Sequence, residues 1–121
     1  MKTARLAAIQ AVAADGAHFS GQVSRHDLIV VDAPPSSALL VRFEPGARTH
    51  WHRHPAGQYL HVVEGAGVAQ SRGSDPVALS PGDTLYAAPG EEHWHGAAPD
   101  QPLAHLAFSF GVTEWAGPVE A

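Results

Sequence analysis

Turn signals recur so closely along this chain that no long helix fits between them. "EPGAR" (44–48), "PAG" (55–57), "RGSDP" (72–76), "SPGD" (80–83), "APGEE" (88–92) and "APDQP" (98–102) each mark a bend. Glycine reaches backbone conformations closed to other residues, and proline fixes its own φ. Between the bends lie "LLVRF" (39–43), "THWHRH" (49–54), "QYLHVVEG" (58–65), "VAQS" (68–71), "VALS" (77–80), "TLYAA" (84–88), "HWHGA" (93–97) and "LAHLAFSF" (103–110). This predicts at least seven short strands, with turns about every 8–12 residues, and an all-β sandwich or barrel. The only helical candidate is the first fourteen residues, and its pattern is weak.

At 121 residues the chain has the size of one domain with one core, so 1–121 is read as a single domain. No stretch reaches the length of a membrane span. A formal charge of −5 offers no basic excess for phosphates, which argues against a nucleic-acid partner. Without cysteine, disulfides, thiolate metal sites and cysteine nucleophiles are all excluded. A cytoplasmic location fits that composition. In "MKTARLAAIQAVAADG" the triplet Ala11-Val12-Ala13 imitates a cleavage site, but the apolar run before it is short and broken by Gln10. The segment is therefore read as a first strand or arm and not as a signal peptide.

The nine histidines are not scattered. Residues i and i+2 of a strand point to the same face, so His52 and His54 project together. Gln58, beyond the "PAG" bend, begins the next strand and can turn its amide oxygen back toward them. His93 and His95 share a face of another strand. Imidazole nitrogens with an oxygen donor suit a first-row divalent ion such as Mn, Fe, Co, Ni, Cu or Zn. Two H-x-H pairs, each following a Pro-Gly turn in a cysteine-free frame, are better explained by a metal site than by ordinary polar surface.

These residues resemble a known family. Gly46, His52-Arg53-His54, Gln58 and Gly65 are similar to the first cupin motif. "GDTLYAAPGEEHWHGA" (82–97) is similar to the second, with Ala88 where proline is usual. The resemblance implies a cupin jelly-roll β-barrel, a metal-binding core at about 39–110, and a homodimer. Within small single-domain cupins the pattern is most similar to the manganese-dependent hydroxynitrile lyases and their relatives, in which Gln replaces the usual Glu ligand. Carried over position by position, it implies His52, His54, Gln58 and His93 as ligands, with His95 and His105 beside the metal in the cavity. Manganese is the ion it favours; Fe, Ni, Co, Cu and Zn remain compatible.

A neutral amide leaves the ion its full double charge and makes it a stronger Lewis acid than a carboxylate would. It also removes a possible base, so His95 and His105 are the candidate catalytic groups. His105 could instead be a buried structural histidine. In 103–110, Leu106, Phe108 and Phe110 are expected to pack between the sheets, leaving His105, Ala107 and Ser109 to line the cavity. Leu39, Val41 and Thr49 complete the expected cavity wall, with Phe43 either walling its mouth or packing in the core. The aliphatic side chains suggest an apolar small-molecule substrate, although Leu60 and Val62 are better read as core. His50 is expected at the rim, His61 pointing outward toward a dimer interface, and His18 and His26 on the solvated surface. Trp51 and Trp94 should face away from the metal and pack against the second sheet.

The activity these features imply is a Lewis-acid lyase that cleaves C–C bonds of cyanohydrin-like substrates through an oxygen held on the metal. The alternatives are a cupin dioxygenase or oxidase that activates O2, and a binding protein that holds a metabolite without turnover. Ser109 and Leu39 depart from the lyase pattern, where glutamine and a smaller residue are common.

Overall fold

The computed structural model describes residues 1–120. Its strands are β1 (Val12–Ala13), β2 (Phe19–Ser20), β3 (Val23–Asp32), β4 (Pro35–Phe43), β5 (Arg48–Thr49), β6 (His52–Arg53), β7 (Gln58–Gly65), β8 (Gly67–Ser71), β9 (Val77–Leu79), β10 (Thr84–Ala87), β11 (His93–Ala97), β12 (Leu103–Phe110) and β13 (Glu114–Trp115). The N-terminal segment contains only a one-turn 3-10 helix at Leu6–Ala8 before it pairs as β1. Among the described residues no helix is long and apolar enough to cross a membrane.

All strands pair antiparallel in two sheets that close on each other as a jelly-roll barrel. One sheet runs β1-β3-β4-β12-β7-β10. In the other, β11 is the hub, with β8 along one edge and β5 and β6 in turn along the other. This hub role depends on Gly96. A Cβ there would lie 2.5 Å from the Ala47 carbonyl oxygen, so only glycine lets β5 approach.

The barrel has two chemically distinct ends. Val23, Val41, Phe43, Val62, Leu79 and Leu103 form the apolar core at one end. Toward the other end of the same strands stand Leu39 of β4, Gln58 of β7 and Ser109 of β12, and here the lumen fills with imidazole rings.

The face assigned to Leu106, Phe108 and Phe110 needs correction. His105, Ala107 and Ser109 do point inward and are buried, but the large side chains lie on the outer surface, with Phe108 37% and Phe110 38% exposed. The lumen at this level is already occupied by histidine rings, so small side chains face in and large ones face out. Tyr86, Tyr59 and Phe108 sit side by side across β10, β7 and β12, with the two tyrosine rings 4.8 Å apart.

Candidate metal centre and cavity

Strand alternation and two turns bring the histidines together. The Arg53 side chain points out while His52 and His54 are buried. β6 then pairs with β11 so that His52 lies directly opposite His93. Gly90, in the left-handed region with φ +76°, makes the turn before His93, and its N–H donates to the His54 carbonyl at 3.0 Å. The two histidine-bearing segments are thus joined through the backbone.

Ring centroids of His52 lie 4.4 Å from His93, 5.0 Å from His54 and 5.3 Å from His95. Nitrogens of His52, His93 and His95 fall within 4.8 Å of one another, so His95 stands closer to the cluster than its expected place beside the metal requires. The Gln58 amide oxygen is 3.0 Å from His93 Nε2, and its nitrogen donates to Ser109 Oγ at 2.9 Å.

Hydrogen-bond chemistry fixes which ring nitrogens are free. A carbonyl oxygen only accepts, so His52 Nδ1, 2.8 Å from the His50 carbonyl, carries a proton, and so does His93 Nδ1, 2.9 Å from that of Glu91. Each neutral ring is then bare at Nε2; His52 lines the cavity, and the Nε2 of His93 faces the Gln58 amide oxygen. His54 Nε2 and His95 Nε2 are buried without a hydrogen-bond partner among the described residues, and Thr113 Oγ1 lies 3.1 Å from His54 Nδ1. Bare nitrogens converging on an amide oxygen, with His93 Nε2 and Gln58 Oε1 set lone pair to lone pair, form a donor set suited to a cation. The three-histidine cluster therefore fits a divalent metal.

Burial keeps these rings neutral at physiological pH. It is the largest influence on His52 and His95, which lie well below the ordinary imidazole value, with repulsion from His93 next for His52 and from His105 next for His95. Burial also lowers His93 and takes His54 and His105 down to about 4. The Ser71 hydroxyl, followed by the Ala88 N–H, holds Glu91 below its usual range. That carboxylate braces the turn before His93 from outside the cavity.

The cavity of about 100 Å³ has room for a small molecule or a few waters. Leu39, Val41, Thr49 and Ser109 line it as expected, and Thr49 Oγ1 accepts the His95 backbone N–H at 3.2 Å. His95 Nδ1 and His105 Nε2 are 3.0 Å apart and share one proton.

Phe43 is not at the mouth. It is 1% exposed in the core, its ring centroid 5.3 Å from that of His105. His50 is buried rather than on the rim; its carbonyl orients His52. His18 is not simply solvated, because its ring stacks on Trp115 at 4.3 Å. His26 is partly buried, and its Nδ1 has no partner among the described residues. His61 does point outward, with Nδ1 2.8 Å from Thr84 Oγ1. Trp51 and Trp94 lie beneath the guanidinium groups of Arg72 and Arg48, and the buried Trp94 donates its indole N–H to Gln70 Oε1.

Residues outside 39–110 also build the cavity, Ser37 of β4 among them. Phe19 and Trp115 line it, as does Thr113. β13 pairs with β6 so that Trp115 lies opposite His52, with ring centroids 4.8 Å apart. The spacing of Thr113 and Trp115, two apart after Gly111, is the signal in the sequence that could have revealed this wall.

Residues 39–109 match the family model described as Cupin domain. The chain is 55% identical over 90 residues to an (R)-mandelonitrile lyase of Granulicella tundricola, covering 74% of this chain and 69% of that protein. It is 40% identical over 55 residues to a gentisate 1,2-dioxygenase of a Streptomyces species, covering 46% of this chain but only 15% of that protein. A solved cupin-like protein of Thermotoga maritima superposes with a TM-score of 0.84 at 41% identity, covering 89% of this chain and 86% of that one. With the jelly-roll frame and the histidine cluster at its open end, these likenesses establish that the chain belongs to the cupin domain family.

Proposed function

We propose that this chain is a metal-dependent lyase acting on small cyanohydrin-like substrates. His52, His54, Gln58 and His93 hold the ion, a divalent transition metal with Mn2+ the foremost candidate. When bound, the ion supplies Lewis-acid polarisation of the substrate oxygen.

The protein's own groups carry the rest. Leu39, Val41 and Trp115 surround the apolar part of the substrate and keep water away. With its proton on Nδ1, His95 donates to His105 Nε2 and keeps Nε2 bare toward the cavity. The substrate hydroxyl gives its proton to His95 Nε2. The C–C bond breaks with its electron pair leaving on cyanide, and the carbonyl forms. The imidazolium, steadied by His105, then returns the proton to cyanide, so the products are an aldehyde and hydrogen cyanide and the enzyme is restored.

The convergence of bare nitrogens and an amide oxygen beside a linked histidine pair carries this assignment, and the 55% identity to a mandelonitrile lyase supports it. After reconstitution with Mn2+, the protein is expected to release benzaldehyde and cyanide from mandelonitrile. His93→Ala is expected to lose both stoichiometric metal and this activity. Bound metal without cleavage would sink the lyase assignment and favour the oxygenase that the likeness to gentisate 1,2-dioxygenase suggests, read by oxygen uptake with phenolic substrates.

The outer face of the six-stranded sheet is assigned to a second copy of the chain. Tyr59, Tyr86, Phe108 and Phe110 expose apolar surface on it, and such area is normally covered. Phe108→Glu is expected to turn a sedimenting dimer into a monomer that keeps its metal. A monomeric wild-type protein at micromolar concentration would refute this.

A further inference from the structure

We infer that Ser109 is the positioning residue that accepts the Gln58 amide N–H whenever the amide oxygen is turned toward the histidines. The inference rests on the metal-site assignment above and concerns a choice that a carboxylate ligand never faces. A carboxylate has two equivalent oxygens, whereas an amide has one oxygen that can bind a cation and one nitrogen that cannot.

Ser109 of β12 lies directly opposite Gln58 of β7, and both are buried. The amide nitrogen donates to Ser109 Oγ at 2.9 Å, which leaves Oε1 3.0 Å from His93 Nε2. Because His93 Nδ1 is committed to the Glu91 carbonyl, that Nε2 is an acceptor. If the Ser109 oxygen is removed, the buried amide N–H loses its partner, and the nearest substitute is His93 Nε2. The amide then turns over. Its hydrogens take the place of the oxygen and cap a ligand lone pair, so two donors to the metal are lost together.

The test is Mn2+ titration of metal-free protein, with free ion read by electron paramagnetic resonance. Ser109→Ala is expected to weaken binding by about 10–100-fold, the usual cost of losing a partner that orients a ligand. Ser109→Thr keeps the oxygen and should stay within about twofold of wild type. In a Gln58→Glu background the same Ser109→Ala change should matter by no more than about twofold, because no N–H is left unpaired and either oxygen can face the ion.

Equal losses in the wild-type and Gln58→Glu backgrounds would mean that Ser109 only packs, and would overturn the inference. A Ser109→Ala protein that binds as wild type does would overturn it as well while leaving the metal site intact. A wild-type protein that binds no stoichiometric Mn2+ would overturn both.

Discussion

Metal-free protein is expected to unfold as the pH falls from 7 toward 4. The unfolded chain protonates its histidines near pH 6.5, whereas His54 and His105 in the folded state resist until about pH 4. Between these values the unfolded state binds more protons, so stability rises with pH across the window and is lost as pH falls through it. A displacement of about 2.5 units corresponds to about 3 kcal/mol for each of these two groups. His52, His93 and His95 are displaced the same way. Against a typical total of about 5–15 kcal/mol, this is enough to decide whether the barrel stays folded. Bound metal should shift the collapse to lower pH, because it holds ring nitrogens that protons must take. Urea midpoints at pH 7.5, 6, 5 and 4.5, with and without Mn2+, measure the effect. An apo midpoint unchanged between pH 7.5 and 5 would show that these rings are not held neutral by the fold.

The second large effect concerns His95. Replacing it with alanine should lower mandelonitrile cleavage by about 10²–10⁴-fold, the usual contribution of a positioned general base. Metal content decides how that loss is interpreted, because a His95 nitrogen lies within 4.8 Å of nitrogens of both His52 and His93. Full Mn2+ stoichiometry in His95→Ala would mark it as the proton acceptor. Loss of the ion together with activity would make it a ligand and move the base role to His105. His105→Gln should cost less, since its ring acts through the Nδ1 of His95.

The sequence disclosed most about the segments where chemistry follows strand period. His52 and His54, and likewise His93 and His95, lie two apart, and each pair is buried on one side of its strand. The turns that precede them were marked by Pro45-Gly46 and Pro89-Gly90. Alternation tells which residues share a face but not what covers that face. Leu106, Phe108 and Phe110 were correctly separated from His105 and Ser109, yet their side faces outward. The cavity wall was legible only in part for a different reason. Phe19 and Trp115 reach the site through pairings between β2 and β5 and between β13 and β6, and pairing between remote segments leaves no periodic trace in either one.

His52 and His93 are each oriented by the carbonyl of the residue two places earlier in the chain. The orientations of these two rings are therefore written inside short peptides, whereas Leu39, Phe19 and Trp115, which line the cavity, come from segments that carry none of the proposed ligands. The two tasks can diverge separately. Under the proposed function, mutation at Leu39 or Phe19 can retune substrate choice over evolutionary time while the ring orientations of His52 and His93 are inherited unchanged, which makes this scaffold a practical starting point for laboratory selection toward new substrates.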